Sequence, residues 1–277
     1  MTLDAPPPPG EAEPPRVLYT ITGDDRIAFL QGLITNDARR IADGPIYAAL
    51  LTPQGKYLAD FILAPNRAAV ILDVHASLAE ATVKRLRLYR LRADVQIAPA
   101  AGLHLHRGTG PVPADGWPDP RHPALGWRAY RDTPPGPPVT DWDAIRTAHL
   151  IPETGIELIP GESYILEAGF ERLNGVDFRK GCYVGQEVTA RMKHKTDLRK
   201  GLAPVAIRGT APPGTPLMTT DGREAGTLHT THGPRGIAFL RFDRAGGPLT
   251  AGAATVTAIL PQGAADGGAA PVNPQAD

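Results

Sequence analysis

The sequence predicts an α+β fold that is followed by a small β-barrel near the C-terminus. Strand-like apolar runs and amphipathic helices alternate up to Lys200, whereas short alternating segments divided by Gly and Pro turns follow it. Short strands at that spacing are typical of a small barrel. A chain of 277 residues is long enough for one large domain or two to three smaller ones. We therefore expect an α+β region at 16–199 and a separate barrel domain at 200–262.

The first predicted elements follow a proline-rich start. Residues 6–9 are consecutive prolines, which lack a backbone donor, so we expect residues 1–15 to form a disordered leader. Residues 17–21 are apolar and β-prone, and they are predicted as a strand. Asp25 then provides an N-cap for a short helix whose apolar residues share one face.

A hairpin and a helix are predicted next. Residues 52–55, Thr-Pro-Gln-Gly, suit a tight turn between two apolar strands. An apolar stripe at 78–88, with basic residues on the other side, predicts an amphipathic helix. The strands predicted in this part of the chain lie at 46–51, 56–63, 68–74 and 95–98.

The middle of the chain is less regular. Residues 108–138 are dense in proline and glycine and are predicted as an irregular excursion with one embedded strand. Asp141 suits the N-cap of a helix that Pro152 ends. The Gly- and Ala-rich tail at 263–277 is expected to be disordered. The barrel strands are predicted at 202–207, 215–219, 224–231, 236–241 and 254–259.

Composition restricts the classes of function. The 29 basic and 29 acidic side chains balance, so no overall field draws the protein to nucleic acid or to an anionic membrane. Cys182 is the only cysteine, which excludes an intramolecular disulfide and a site with several thiolates from one chain. The scattered histidines offer no third ligand, so no metal site is predicted. Without a signal-like N-terminus or an apolar run of about 18 residues, a cytoplasmic location is expected.

The densest group of reactive side chains lies at 179–187, Arg-Lys-Gly-Cys-Tyr-Val-Gly-Gln-Glu. Cys182 is flanked there by two glycines, which relieve backbone constraints, and follows two cations, which stabilise a thiolate. A reactive or ligand-binding cysteine is one interpretation. The other is a small buried hydrophobe, the commoner fate of a solitary cysteine in a reducing compartment. The residue chemistry alone leaves both open.

The Lys-Gly-Cys-Tyr-x-Gly-Gln-Glu string at 180–187 resembles the signature of the YgfZ and mitochondrial iron-sulfur assembly branch of the folate-binding aminomethyltransferase superfamily. The resemblance implies a GcvT-like fold of two α+β lobes around a central folate cleft, with tetrahydrofolate as the cofactor. It also implies iron-sulfur enzymes or cluster-assembly proteins as partners. Further similar segments lie within 23–37, 51–56, 151–153, 166–168 and 226–241.

The resemblance assigns roles to side chains of the signature. Cys182 is expected to be a redox residue or a transient ligand beside the bound folate. Lys180 is either a charge neighbour of its thiolate or a surface lysine. Gln186 and Glu187 either hold the loop through bonds to the backbone or present their polar groups to the cleft.

Further candidates for folate binding lie outside the signature at 180–187. Glu167 can accept from two pterin N–H groups, and it could equally be a solvated carboxylate at a helix end. Arg191, or alternatively Lys193, can pair with the carboxylates of the folate tail. Asp60 can act as a general base or have a structural role.

The pattern at Asp60 departs from that of true aminomethyltransferases, which carry two adjacent acids at this place. In this chain Ala59 precedes Asp60. The resemblance therefore implies a tetrahydrofolate-binding accessory protein for iron-sulfur cluster assembly or repair that is not an active aminomethyltransferase. A folate-dependent one-carbon transferase and a non-catalytic folate-binding scaffold stay as alternatives.

Overall fold

The computed structural model describes residues 10–13, 15–195 and 198–260, and these form two compact units. Unit 1 contains the described residues up to Thr140 together with Phe170–Gln186. Unit 2 contains Asp141–Gly169 and the described residues from Glu187 onward. The division differs from the boundary expected at residue 200, because chain segments on the N-terminal side of that boundary belong with the barrel.

Unit 1 is built on an antiparallel sheet whose strands and helices match the predicted order. In the described chain the sheet order is β2-β3-β4-β1-β5, and all of its pairs are antiparallel. A short 3-10 helix follows α1 at Ala38–Asp43. The elements are β1 Arg16–Thr22, α1 Arg26–Gln31, β2 Ile46–Leu51, β3 Tyr57–Asn66, β4 Ala69–His75, α2 Ala76–Tyr89 and β5 Gln96–Pro99.

The two faces of this sheet bury different kinds of residue. Successive residues of a strand point to opposite faces, so one face collects the apolar residues that pack with α1 and α2. The opposite face carries Asp60 of β3 and Asp73 of β4, which are 4% and 0% exposed. Buried carboxylates must be paired or hydrogen-bonded. The apolar core of the helix-covered face includes Ile21, Leu30, Leu50, Phe61, Leu72, Val83 and Leu86.

A second, smaller sheet of unit 1 comes from the region that was predicted to be irregular. Its strands are β6 His104–Gly108, β7 Trp117–Pro118 and β8 Trp127–Arg131, in the order β6-β8-β7. A 3-10 helix at Pro123–Leu125 lies between β7 and β8. The sequence predicted one embedded strand in 108–138, whereas the structure has two there, β7 and β8. A strand of only two residues, such as β7, gives no recognisable periodicity in the sequence.

The prediction of a disordered leader is wrong for residues 10–13. Glu11 is 5% exposed, and its backbone forms bridges with Arg107 and Gly136. Its side chain accepts from the backbone N–H of Thr140 at 2.9 Å and from that of Val139. These partners lie more than ninety positions away in the chain, so local composition could not reveal them. Residues 1–9 and the predicted tail lie outside the described residues.

Unit 2 contains a closed barrel with the strand order β10-β11-β12-β9-β14-β13, which confirms the predicted C-terminal β-barrel. Its interior consists of alternate apolar residues such as Val205, Leu228 and Leu240. The strand β13 was not predicted because it is only three residues long. The elements are α3 Trp142–His149, α4 Gln186–Lys195, β9 Lys200–Arg208, β10 Pro216–Thr219, β11 Glu224–His232, β12 Arg235–Arg241, the 3-10 helix Phe242–Arg244, β13 Leu249–Ala251 and β14 Ala254–Ala258.

Helix α3 explains why 141–169 belongs to unit 2. Asp141 caps the helix as predicted, since its side chain accepts from the N–H of Ala144 at 3.0 Å. Arg146 of this helix donates at 2.6 Å to Glu157, which also accepts from the backbone N–H of Thr230 in β11 at 3.2 Å. These buried bonds join α3 to the barrel. The helix ends at His149, before Pro152, because the following residue adopts a left-handed conformation.

A buried ion network occupies the charged face of the unit 1 sheet. Arg128 of β8 is fully buried, and its Nη2 donates to Asp73 at 2.5 Å. Its Nη1 donates to Glu13 at 2.7 Å and to Asp119 at 3.2 Å. Arg16 adds a second bond to Asp73 at 2.7 Å. The second sheet is thereby joined to the first by opposite charges.

Two further arginines complete the network. Arg107 pairs with Glu13 at 2.8 Å, and Arg121 forms a two-pronged pair with Asp119 at 2.8 and 3.0 Å. Burial alone would raise the pKa of Glu13, but Arg128 and Arg107 hold that pKa well below its usual value. The carboxylate therefore stays charged in the interior.

We predict that Arg128→Met destabilises unit 1 by about 3–5 kcal/mol, because it leaves the buried carboxylates of Asp73 and Glu13 without their shared partner. Urea denaturation followed by circular dichroism measures the effect. Arg223→Met is the matched control, since Arg223 forms an exposed pair with Asp221. The control is expected to leave the midpoint nearly unchanged. Equal midpoints for the two variants would contradict a structural role for the network.

Candidate functional site

The residues that lead into the cysteine segment are anchored to unit 1 by the polar side chains that follow α1. Thr35 donates from Oγ1 to the carbonyl of Gly175 at 2.6 Å, and its own carbonyl accepts from the N–H of Asp177 at 3.0 Å. Asn36 donates from Nδ2 to the carbonyl of Asn174 at 2.7 Å. These bonds hold the backbone just before the cysteine segment against the residues that follow α1, although the two stretches are far apart in the sequence.

Lys180 is buried beneath the end of α1. Its Nζ donates to the carbonyls of Gln31 and of Ile34, the latter at 2.9 Å, and Gln31 donates back from Nε2 to the carbonyl of Lys180 at 2.9 Å. The lysine is only 6% exposed, so it is not the surface lysine that one interpretation expected. Burial lowers the pKa of Lys180 to about 8, although the carboxylates of Asp37 and Asp177 act in the opposite direction.

Cys182 is exposed and is not part of a disulfide. The alternative of a small buried hydrophobe is therefore wrong. The glycines on either side, Gly181 and Gly185, have positive φ values of 97° and 85°, which glycine adopts readily. A side chain at Gly185 would come within 2.5 Å of the carbonyl of Thr52, in the turn between β2 and β3. The segment is thus held closely against this turn while its thiol faces solvent.

The rest of the loop is fixed by its neighbours. Gln186 accepts at Oε1 from the backbone N–H of Tyr183 at 3.1 Å. This bond to the backbone holds the loop, which is one of the two roles predicted for Gln186. The ammonium of Lys180 lies 4.7 Å from the centre of the Tyr183 ring, which is a favourable cation–π distance. Both contacts are local and stabilise the conformation that presents Cys182.

Asp60 is in a separate buried cluster of unit 1. The hydroxyl of Tyr47 donates to Oδ2 at 2.9 Å, and that of Tyr57 donates to Oδ1 at 2.6 Å. Phe170 stacks on the Tyr47 ring with centroids 4.9 Å apart. Burial raises the pKa of Tyr47, so its hydroxyl stays protonated and donates. The carboxylate is held in one orientation by two phenols, a structural role that the sequence left open.

The remaining predicted site residues belong to unit 2. Glu167 is 9% exposed, and its nearest carboxylate oxygen lies 3.9 Å from Nζ of Lys200. Its backbone carbonyl accepts from the N–H of Leu202 at 2.8 Å, which joins it to β9. Glu187 and Arg191 are exposed on α4. Of the two interpretations for Glu167, the structure therefore excludes a fully solvated carboxylate.

The structure brings Lys180, Cys182 and Gln186 together in one loop and leaves Asp60 in a different cluster of the same unit. Sequence reasoning missed Gln31 as a site-supporting residue, because its partner Lys180 is 149 positions away in the chain. It missed Tyr47 because the bond to Asp60 depends on how the side chains of β2 and β3 pack. In the described ranges no group of three or more His, Cys, Asp or Glu side chains could hold a metal ion. Helices of sufficient length and apolarity to cross a membrane are absent from the part of the chain that the structure describes.

Comparison with known proteins identifies relatives over most of the chain. The chain is 32% identical to the mitochondrial iron-sulfur cluster assembly factor IBA57 of Mus musculus, over 89% of this chain and 82% of that protein. It is 32% identical to the human IBA57 over 84% and 78% of the two chains. The Neurospora crassa homolog is 34% identical over 71% of this chain and 54% of its own length. These relatives are described as mitochondrial, and the expected cytoplasmic location stays a prediction.

The fold comparison agrees with the predicted fold class. The glycine cleavage system aminomethyltransferase T from Bartonella henselae matches 88% of this chain and 82% of its own chain, with a TM-score of 0.69 and 12% sequence identity. Residues 199–266 match the family model described as the C-terminal beta-barrel domain of CAF17. The narrower YgfZ-type assignment stays a prediction. On the evidence of its sequence relatives, the chain belongs to the IBA57 family of iron-sulfur cluster assembly factors.

Proposed function

We propose that this protein is a tetrahydrofolate-binding accessory factor for the assembly or repair of iron-sulfur clusters, in which Cys182 supplies a thiolate to the cluster. The observation that carries the proposal is the exposed thiol of Cys182 on a loop held by the buried Lys180. A cysteine that served only for packing would be buried. An immobilised backbone with an exposed thiol suits a residue that must meet another molecule.

A single thiolate cannot hold a cluster alone, since iron-sulfur clusters are held by several ligands. The described residues contain no group that could complete such a site. In this proposal the cluster is cargo that the protein holds transiently. The other ligands of the cluster come from a partner, a second copy of the chain or glutathione. We propose iron-sulfur enzymes or cluster-assembly proteins as partners, with Cys182 as a transient ligand or redox residue.

Lys180 is proposed to position the loop that carries Cys182. The two groups act on each other electrostatically, since a thiolate at Cys182 raises the pKa of Lys180. Because burial lowers the pKa of Lys180 to about 8, its ammonium is charged at neutral pH and loses its proton in mildly alkaline solution.

We propose one buried carboxylate in each unit as a separate candidate for binding folate. When bound, tetrahydrofolate supplies a reduced pterin that can carry one-carbon units. Glu167 is 9% exposed and can accept from pterin N–H groups in the bidentate manner. Asp60 is oriented by Tyr47 and Tyr57. The guanidinium of Arg191 is proposed to pair with the carboxylates of the folate tail.

A one-carbon transferase is a weaker alternative. The acid pair expected of an aminomethyltransferase is reduced here to Asp60, because Ala59 occupies the other position. The carboxylate of Asp60 is also engaged by two phenolic hydroxyls. Both observations favour an accessory protein with a transferase-like fold. As a separate proposal, the protein acts in a reducing compartment, which we propose to be the cytoplasm.

We predict that Cys182→Ala abolishes the function without unfolding the chain, because the exposed side chain contributes little to packing. The measurement is the activity of a [4Fe-4S] enzyme in a strain that lacks its own protein of this family. Arg179→Gln, an exposed neighbour in the same loop, is the matched control and is expected to complement like the wild type. Thermal melting verifies folding. Full complementation by Cys182→Ala would exclude a functional role for the thiol. The folate-binding scaffold and the one-carbon transferase would then be the remaining candidate functions.

We predict that Lys180→Met speeds amide hydrogen exchange in the segment 180–186 several-fold at pH 7, because the charge-assisted hydrogen bonds from the ammonium to the carbonyls of Gln31 and Ile34 are lost. The difference from wild type should shrink as the pH rises through about 8, where Lys180 itself loses its proton. Arg179→Met removes an exposed cation from the same loop and should have a smaller effect. A difference that is constant from pH 7 to pH 9 would argue against an electrostatic role for Lys180.

We predict that Glu167→Gln weakens binding of tetrahydrofolate roughly tenfold or more, because a carboxylate that pairs with N–H donors is replaced by a neutral amide. Isothermal titration calorimetry under anaerobic conditions measures the affinity. Glu224→Gln removes an exposed carboxylate from the barrel and serves as the control. If the wild-type protein binds no tetrahydrofolate, the folate part of the proposal fails while the part concerning Cys182 stands.

A further inference from the structure

Positive charge is concentrated at the C-terminal end of α2. The nine residues at 84–92 contain five basic side chains and no acidic one, in a chain whose charges balance as a whole. Such a local excess creates a positive field that the net charge does not reveal. Four of these basic residues are exposed and Arg85 is half-buried. The five are Lys84, Arg85, Arg87, Arg90 and Arg92.

Apolar side chains are exposed at the same place. Leu88 is 70% exposed, Tyr89 38% and Leu91 86%. They are three of the eight large hydrophobic residues that the described chain exposes, and they lie within four consecutive positions. The buried face of α2, which includes Val83 and Leu86, is already used by the core. These exposed residues therefore form an additional apolar surface; with the five cations we call it the α2 end surface.

Leu91 is at a position where folding favours glycine. It follows the last residues of α2 with a φ of 48°, in the left-handed region that a helix commonly enters at its end. A side chain there costs about 1 kcal/mol relative to glycine. At 86% exposure the leucine regains almost none of this by burial. An exposed leucine in a conformation that favours glycine points to a role in contact with another molecule.

A groove lies next to these residues. It has a volume of about 640 Å³ and runs between α2, β1 and β5. Val83, Tyr19 and Pro99 supply apolar lining, and Lys84 and Arg87 lie at the groove as well. Glu80 also lines it and is its acidic member. The groove can accept an apolar side chain with carboxylates on either side of it.

Arg87, which lines the groove, and Arg90, which follows the last residue of α2, are both held in place. Arg87 donates from Nη2 to the carbonyl of Ile97 at 2.8 Å, and Arg90 donates from Nη1 to the carbonyl of Val95 at 3.3 Å. A guanidinium has five N–H donors in a planar fork that matches a carboxylate. A side chain that is already held loses less conformational entropy on binding. These arginines are therefore preorganised for discrete carboxylates.

We propose that the α2 end surface docks an acidic segment of a partner protein, with a leucine-like side chain in the groove and carboxylates on Arg87 and Arg90. An anionic bilayer fits less well, because the main apolar face of α2 is buried in the core and cannot insert. Single-stranded nucleic acid requires aromatic stacking platforms, and Tyr89 is the one exposed aromatic residue among 84–92. The inference does not depend on the proposed role of Cys182.

The test uses the full-length protein and a short fluorescein-labelled peptide composed of Glu, Asp and Leu. Fluorescence anisotropy should show binding that weakens as salt is raised, and the matched peptide with Gln and Asn should bind at least about tenfold less tightly. Arg87→Gln with Arg90→Gln should lower the affinity about tenfold or more. Arg223→Gln with Arg235→Gln changes the net charge equally on the exposed barrel surface and should have little effect.

Leu91→Gly separates binding from stability. The substitution should lower the affinity for the acidic peptide several-fold. It should also raise the midpoint of thermal unfolding or leave it unchanged, because glycine suits the left-handed conformation. The proposal is overturned if the acidic peptide does not bind, or if the α2 variants bind it as the wild type does. It is equally overturned if vesicles rich in phosphatidylserine or an oligouridylate bind more tightly through these same residues.

Discussion

Charge burial on one face of the central sheet is the constraint on which the structure of unit 1 depends. The strand period places Asp60 and Asp73 on the face opposite the helices, where neither can be left unpaired. Asp73 is neutralised by Arg16 and Arg128, and the latter comes from the second sheet. Asp60 is instead satisfied by tyrosine hydroxyls. The same requirement thus joins the second sheet to the first and fixes a carboxylate in one orientation.

The cysteine loop depends on a related balance between burial and polarity. Lys180 is buried beside carbonyls at the end of α1, and Gln31 returns a bond to its backbone. Burial lowers the pKa of Lys180, but its ammonium is hydrogen-bonded to two carbonyls and therefore clamps the loop to the end of α1. Cys182 itself stays exposed. A rigid loop with an exposed thiol is the arrangement that a transient cluster ligand needs.

The α2 end surface differs from the cysteine loop because its charged residues are mostly exposed and not buried. There the chain exposes apolar and basic groups together, and Leu91 adopts a conformation that folding alone would give to glycine. The cysteine loop and this surface use separate elements of unit 1. One presents a reactive atom, and the other offers shape and charge to a macromolecule. Both features suit the proposed function, in which the protein handles a cluster jointly with partners.

By itself the sequence determined the α+β region, the barrel, most strand positions and the cap at Asp141, because these follow from local periodicity and turn chemistry. It also determined the signature around Cys182, since its glycines and cations are contiguous. Only the tertiary structure decided that Lys180 is buried, that Asp60 binds two phenols and that Glu11 is paired. The partners of Lys180 and Glu11 lie far away in the chain, and local composition carries no information about which distant residues meet. The bonds of Asp60 to Tyr57 and Tyr47 span only 3 and 13 positions, but they depend on how the side chains of β2 and β3 pack in the folded hairpin.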